Sequence, residues 1–296
     1  MGTLTRKRRF GDRYDGHKLR KTDAMFQMIP VIMRTRMDSM VYFSETIDLA
    51  PLEKFMREQR AAGMQDLRLV HVIVAACVRL FSQKPRLNRF VAGKKIYSRN
   101  CIRISMAIKR KMSEDGEETI IIPQFEPEDT IADVVTKFNV KLAEGKAEAP
   151  GLSGNETDVV AKIIGACPTF LKTFVVFLIR ALDSVGCMPK FIYDASPFHS
   201  SLFITDVGSL GIRPIHHHLY EFGTCSAFIA IGKKETQLYL DAEGKPAEKK
   251  VLGMSAVLDE RTCDGFYNAS AMKLLHRILK HPEQLLNPPE KVVLDN

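Results

Sequence analysis

The sequence predicts an α+β protein. Segments with the 3.6-residue periodicity of amphipathic helices dominate residues 48–185, whereas strand-like segments separated by Gly-bearing turns fill residues 201–260. A further periodic segment closes the chain. Helices early and antiparallel-type strands late are typical of α+β folds. With 296 residues, 45% of them hydrophobic, the chain is long enough to bury a core as one large domain or two of ordinary size.

Helices are predicted from apolar spacing and from end signals. Asp48 is a candidate N-cap, with Pro51 in the first turn, and the next helix is apolar nearly all round, so it is expected to be buried. A break at Pro168 splits the long apolar segment into two short helices. The predicted helices are 48–58, 67–81, 131–143, the pair within 159–185, and 269–280.

Strands are predicted where β-branched and aromatic residues alternate between turn signals. The predicted strands are 95–97, 102–108, 119–122, 201–207, 212–220, 226–232, 237–241 and 251–260, with 188–197 as a connector. Within 212–220, alternation puts Ile215 and His217 on one face and His216 and His218 on the other. Consecutive histidines that point to opposite faces do not make a metal site, so no metal is expected.

The charge of the chain is concentrated at its beginning. Lys and Arg number 43 against 35 Asp and Glu, a net charge of +8. Residues 1–21 contribute +6 of this excess, which leaves an ordinary +2 for the rest. We therefore expect no nucleic-acid binding and a basic N-terminal arm, residues 1–24, that packs on a neighbouring subunit.

The cysteines and the first residues indicate the compartment. Six widely spaced cysteines without a C-x-x-C pair suggest neither a zinc knuckle nor a disulfide framework. The first ten residues include several charged side chains and lack the apolar stretch of a secretory signal. Lys162, Pro168, Lys172 and Arg180 interrupt the apolar segment 159–182, which argues against a membrane span. A cytoplasmic location is predicted.

A polar cluster follows the last predicted strand, where the sequence reads DERTCDG from Asp259 to Gly265. It is similar to the D-H-R-x-x-D-G signature of the catalytic domain of the dihydrolipoamide acyltransferases of 2-oxoacid dehydrogenase complexes, a family related to chloramphenicol acetyltransferase. Upstream, Ile204 to Gly211 resembles its T-I-S-N-L-G-x-x-G strand. Five further matches in the same order are 36–39, 46–48, 84–88, 214–216 and 280–286.

The resemblance covers roughly residues 30–145 and 198–290 and implies a fold and an assembly. It implies a two-layer subunit, with a mixed sheet covered by helices, that forms a homotrimer and in some members a larger cage. Residues 25–296 are then one acyltransferase-like domain, and 150–195 is an apolar helical insertion. Acyl-CoA and an acceptor would enter from opposite ends of a channel at the subunit interface, so coenzyme A is the expected co-substrate.

The resemblance also implies site residues, with one departure. Thr205 matches the family's oxyanion-stabilising hydroxyl and Asp264 its following acid, but Glu260 stands where the family has its base histidine. A carboxylate is a weak base unless burial raises its pKa, so His217 is the alternative base, on the face of Ile215. Phe203 and Ile215 are the expected substrate contacts.

The replacement of the family's base histidine by Glu260 leaves two possible functions. The first is a stand-alone CoA-dependent acyltransferase that acts on a thiol or hydroxyl acceptor. The second is a catalytically inactive trimeric scaffold or ligand-binding relative, possibly lipid-associated. Cys263 lies inside the motif, but we expect it to be a packing residue.

Besides forming part of the buried core, the apolar insertion has several possible roles. It would supply trimer or cage contacts, cover a small-molecule or lipid acceptor, or attach the protein to a membrane surface. The lipid interpretation predicts Phe170, Phe174 and Phe177 near the acceptor end of the channel.

Overall fold

The structure is a computed structural model that describes residue 4 and residues 6–109, 118–146 and 165–295. The helices in these ranges are α1 Ala24–Ile32, α2 Ala50–Ala61, α3 Leu69–Gln83, α4 Ile131–Lys146, α5 Thr169–Ser184, α6 Lys190–Ala195 and α7 Gly265–Lys280. The strands are β1 Gly16–Lys18, β2 Met40–Asp48, β3 Arg89–Ala92, β4 Lys95–Arg99, β5 Ile102–Lys109, β6 Glu118–Ile121, β7 Gln124–Phe125, β8 Leu202–Asp206, β9 Ala227–Leu240 and β10 Pro246–Asp259.

The larger of the two sheets that the described residues form has seven strands. Six follow the order β2-β10-β9-β8-β5-β6, and β7 pairs with β5. Strand β8 runs parallel to both β5 and β9, and the other pairs are antiparallel, so the sheet is mixed. The register aligns Thr205 with Ala230 and Ala230 with Ser255. These pairings fix where each predicted site residue lies along the sheet.

The two faces of this sheet have different partners. Alternate strand residues such as Ile204, Ile229 and Ala256 join α2, α3, α4 and α7 in the main core. The residues between them, Phe203, Phe228 and Val257, form a separate apolar cluster on the other face. Because side chains alternate along a strand, the first face is the helix-covered layer and the second is available for a site.

The smaller sheet, β1-β4-β3, ties the basic arm to the body. Gly16 to Lys18 pair with β4, and the buried Arg13 donates to Asp15 at 2.8 Å and to Asp183 of α5 at 2.6 Å. The arm was expected to pack on a neighbouring subunit. Residues 12–19 pack on their own chain, where Arg13 and Asp15 form a buried ion pair. Contact of the arm with a neighbouring subunit stays a prediction.

Most predicted elements are present, with shifted ends, and four differences matter. Residues predicted as strands 226–232 and 237–241 form the single strand β9, which pairs with the equally long β10. Residues 212–220, predicted as a strand, have no regular structure. Helix α6 lies in the predicted connector, and no prediction covered α1, β1, β2, β3 and β7. Residues 159–164 of the predicted helix pair lie outside the described ranges.

Candidate active site

A large apolar cavity lies on the second face of the seven-stranded sheet. Its volume is about 1040 Å³. Phe203, Thr205 and Phe228 line it from β8 and β9, and Val176 and Ile179 line it from α5. Ile215, His217 and Leu219 line it from the segment 212–222, which crosses that face. We call this space the sheet cavity. It brings together four of the six predicted site residues: Phe203, Thr205, Ile215 and His217.

The imidazole of His217 is held over the sheet by Phe228. The two rings are stacked, with centroids 4.1 Å apart and planes 4° apart. Nδ1 of His217 lies 2.7 Å from the carbonyl oxygen of His218. A carbonyl only accepts hydrogen bonds, so Nδ1 carries the proton and the neutral ring keeps its lone pair on Nε2.

The protonation state of His217 suits a base. Burial lowers the pKa of His217 below its usual 6.5, with a further lowering by His218, and the hydrogen bond to the His218 carbonyl only partly opposes this. The imidazole is therefore neutral at pH 7. Among the described residues no hydrogen bond is found for Nε2. A neutral imidazole with a free Nε2 can accept a proton from a ligand in the sheet cavity.

Thr205 lies on the same face of β8 as Phe203, because the two residues are two positions apart on a strand. Thr205 is half-buried and lines the cavity that His217 also lines. Asp206 points to the opposite side, where its carboxylate accepts from the backbone N–H of Ser209 at 3.2 Å. The local sequence therefore presents a hydroxyl, not a carboxylate, to the sheet cavity.

Glu260 and Asp264 lie outside the sheet cavity. The register aligns Thr205 with Ser255 through Ala230, and Glu260 is five residues further on, a distance of roughly 16 Å along the strand. Asp264 caps α7 by accepting from the backbone N–H of Tyr267 at 2.8 Å. One chain thus does not bring Thr205 and Glu260 together.

Asp259 and Arg261, the other charged residues of the motif, form a buried structural ion pair. Asp259 is fully buried and accepts from the guanidinium of Arg261 at 2.7 Å and 2.9 Å and from the Ser39 hydroxyl at 3.0 Å. The buried Arg36 lies 4.0 Å from the same carboxylate and donates to the carbonyl oxygen of Gly223. The matches at 36–39 and 259–261 in the sequence are therefore one structural cluster.

The other residues considered as functional, His199, His216 and Cys263, lie outside the sheet cavity. His216 lies 3.1 Å from the Ser44 hydroxyl, on the side of β2. His199 is fully buried between Ser196, at 2.7 Å, and Asp183, at 3.4 Å. Burial raises the pKa of the Cys263 thiol to about 11, so Cys263 is a protonated packing residue. Within the described ranges, no three His, Cys, Asp or Glu side chains cluster as metal ligands would.

Helix α5 lines the sheet cavity with the face opposite to the one the aromatic pattern predicts. Val176, Ile179 and Arg180 face the cavity. Phe170, Phe174 and Phe177 point to solvent, with exposed fractions of 76%, 61% and 66%. The sequence did not predict that Val176 and Ile179 would line the cavity. The apolar spacing of the helix alone does not distinguish the face with these two residues from the face with the three phenylalanines. No helix of the described ranges has the length and apolar character needed to cross a bilayer.

The mixed sheet, the helices on one face and the topology define the chloramphenicol acetyltransferase-like fold, as the sequence predicted. The dihydrolipoamide acetyltransferase of Azotobacter vinelandii aligns with a TM-score of 0.54 and 17% identity, over 92% of this chain and 95% of its own. A probable dihydrolipoamide acetyltransferase from Listeria monocytogenes aligns with a TM-score of 0.53 and 13% identity, over 95% and 99%. A chloramphenicol acetyltransferase aligns with a TM-score of 0.51 and 10% identity, over 92% and 100%.

These similarities are structural. No family sequence model matches the chain, and neither does any curated protein sequence. At 10–17% identity the alignments establish the fold, and the chemistry has to be argued from the sheet cavity itself.

Proposed function

We propose that this protein is an acyltransferase that moves an acyl group from acyl-CoA to a thiol or hydroxyl acceptor in the sheet cavity. The observation that carries the proposal is that His217 and Thr205 line one cavity, with His217 neutral and its Nε2 free. Acyl transfer needs a base for the acceptor and a hydrogen-bond donor for the oxyanion, and these side chains supply both.

The reaction follows from these roles. Nε2 of His217 takes the proton of the acceptor S–H or O–H as the acceptor attacks the thioester carbonyl carbon. The Thr205 hydroxyl donates a hydrogen bond to the oxyanion that forms. When the tetrahedral intermediate collapses, the C–S bond to CoA breaks, and protonated His217 returns its proton to the thiolate. The products are the acylated acceptor and free CoA thiol.

We propose the trimer as the working assembly, because the fold is that of the acetyltransferases above. One neighbour is described as the cubic core of a pyruvate dehydrogenase complex, which makes a larger cage a further candidate. In a trimer the Glu260 of one subunit would be free to approach the Thr205 of another. Size-exclusion chromatography with light scattering tests the trimer, which has three times the 33.4 kDa subunit mass.

A second candidate function is a non-catalytic scaffold or ligand-binding protein. It is favoured by the motif at 259–264, whose Asp259, Arg261 and Asp264 side chains serve as an internal ion pair and a helix cap. A scaffold would keep these contacts for stability and lose the base. The two candidates differ in whether the protein releases thiol from acyl-CoA.

The deciding experiment is a thiol-release assay with acetyl-CoA and longer acyl-CoA esters and a panel of thiol, amine and alcohol acceptors. Acceptor-dependent release that His217→Gln abolishes supports the acyltransferase. Release by neither acetyl-CoA nor long-chain acyl-CoA, from a protein with an intact circular dichroism spectrum, rejects it in favour of the scaffold. The His216→Gln variant is the matched control, because His216 faces Ser44 on the other side.

A further inference from the structure

A cationic pocket of about 220 Å³ adjoins the sheet cavity. Five cationic side chains line it against two carboxylates, which gives a net charge of +3; they are Arg34, Arg36, Lys94, Arg180 and Arg261, with Asp183 and Glu221. We call this space the cationic pocket. None of its residues has a role in the proposed acyl transfer.

The two carboxylates of the cationic pocket are already occupied. Asp183 accepts from Arg13 at 2.6 Å; burial alone would raise its pKa, but the hydrogen bond from His199 and the charge of Arg13 hold the pKa at about 2. Glu221 accepts from the backbone N–H groups of Arg36 and Met37 at 2.5 Å and 3.0 Å. Neither carboxylate forms an ion pair with a cation that the pocket presents to solvent.

Three of the five cations remain available to a ligand. Arg261 is paired with Asp259, and Arg36 donates to the backbone carbonyl oxygens of residues 220, 221 and 223. In the described ranges Arg34, Lys94 and Arg180 have no carboxylate partner, and all three are exposed. Their positive charges are therefore the ones in this pocket that a bound anion would neutralise.

Gly93 brings these cations together. It has φ of 53°, and a Cβ at this position would lie 2.2 Å from the carbonyl oxygen of Ser184. The turn between β3 and β4 thus touches the end of α5, which only a glycine allows. Lys94, the next residue of this turn, is consequently held beside the last turns of α5, where Arg180 lies.

Arg180 and Glu221 line both the cationic pocket and the sheet cavity, so the two spaces meet at these side chains. Beyond them the sheet cavity is mostly apolar, with Thr205 and His217 among its polar residues. Its apolar walls are formed by Ile120, Val176, Ile179, Phe203, Leu219 and Phe228. Its volume is at the upper end of the range for small-molecule sites. The combined shape is an apolar chamber with a cationic mouth.

We propose that this combined site binds a single-chain amphiphile with an acidic head, a carboxylate or a phosphate. The head lies against Arg34, Lys94 and Arg180, where charge-assisted hydrogen bonds hold it. The chain enters the sheet cavity, where burial removes its apolar surface from water. This inference concerns binding alone and does not rest on the proposed acyl transfer.

The experiment is displacement of the fluorescent fatty acid cis-parinaric acid from the full chain, without any acyl donor. The competitors are dodecanoate, dodecyl phosphate, dodecanol and inorganic phosphate. We expect both acidic amphiphiles to bind at least about tenfold more tightly than dodecanol, because they alone gain hydrogen bonds to charged groups. Inorganic phosphate is expected not to displace the probe.

Two variants locate the site. Arg180→Ala is expected to weaken both acidic amphiphiles by about tenfold or more and to leave dodecanol unchanged. Lys172→Ala is the matched control, since it removes one positive charge from the same helix outside both spaces. Val176→Trp fills the sheet cavity. It is expected to weaken binding of dodecanoate, dodecyl phosphate and dodecanol alike, in a protein whose circular dichroism spectrum is unchanged.

Three outcomes overturn the inference. Equal affinity for dodecanol and dodecanoate means that no acidic head is recognised. Displacement by inorganic phosphate means that the chain adds nothing. A probe that does not bind, or binding that is unaffected by Arg180→Ala, means that the two spaces do not act as one site. Since no acyl donor is present, none of these results bears on the thiol-release assay.

Discussion

The ring of His217 lies flat on the ring of Phe228, with centroids 4.1 Å apart, and Phe228 in turn stacks on Phe203 at 5.2 Å. Phe203 and Phe228 are paired residues of β8 and β9, so the imidazole is positioned by the sheet although its own segment has no regular structure. This stacking places His217 in the cavity of Thr205. Several predictions about catalysis depend on that placement.

His217→Gln is expected to lower acyl transfer by about 10² to 10⁴, because a positioned base contributes that much. The change keeps a planar polar group against Phe228, so the fold is expected to persist. The measurement is the rate of thiol release from acyl-CoA at saturating acceptor. His216→Gln should retain the wild-type rate. Equal rates for the wild type and His217→Gln would remove His217 from the mechanism.

The pH profile of kcat/KM is expected to rise on the acid side with a midpoint below 6.5 and to be level at neutral pH. Burial lowers the pKa of His217, so the neutral, basic form persists to lower pH than for a free histidine. Initial rates of thiol release from pH 4.5 to 8 measure this. A rise centred above 6.5 would contradict assignment of the base to a histidine in this environment.

Thr205→Val is expected to lower turnover by about 10², since it removes a hydrogen-bond donor to the oxyanion with little change in shape. Thr205→Ser keeps the hydroxyl and is expected to restore most of the rate. Single-turnover thiol release separates this effect from acyl-CoA binding. A valine variant as fast as the serine variant would show that Thr205 does not hold the oxyanion.

Glu260→Gln is expected to change turnover far less than the loss of about 10² to 10⁴ expected for a base. The reason is the register, which places Glu260 five residues along the sheet from the position aligned with Thr205. The same thiol-release assay applies. A loss as large as that of His217→Gln would instead place the Glu260 of a neighbouring subunit at the site.

Asp183→Asn is expected to lower the free energy of unfolding at pH 7 by about 3 kcal/mol, because it breaks a buried ion pair with Arg13. The pKa of Asp183 is about 2 in the folded state, below its usual 3.8. Its contribution is therefore complete above about pH 4 and is lost as the pH falls towards 2. Urea titrations at pH 7 and pH 2.5 measure both effects.

The matched control for this stability prediction is Asp194→Asn. Asp194 pairs with Lys190 on the surface of α6, where the lysine side chain is 80% exposed. Such pairs contribute less than about 1 kcal/mol. A similar destabilisation by both variants, or none by Asp183→Asn, would show that the pair of Arg13 and Asp183 does not hold the arm to α5.

The fold class was predictable because its signals are local. The apolar spacing of α2, α3, α4 and α7 and the alternation in β5, β8 and β10 appear within single segments. Thr205 became a candidate through the resemblance. The alternation expected to put Ile215 and His217 on one face and His218 on the other is absent, since all three residues line the sheet cavity. The segment 212–220 was nonetheless taken for a strand, since alternation does not reveal whether a partner strand is present.

The sequence by itself determined the α+β fold class and, through the family resemblance, the mixed sheet and the candidate hydroxyl of Thr205. Only the tertiary structure decided that His217, and not Glu260, shares a cavity with Thr205, that Arg13 of the arm pairs with Asp183 of α5, and that α5 lines the cavity with Val176 and Ile179. Local patterns show which face a side chain occupies. Register and packing between distant segments depend on contacts across the chain, and these decide which residues meet.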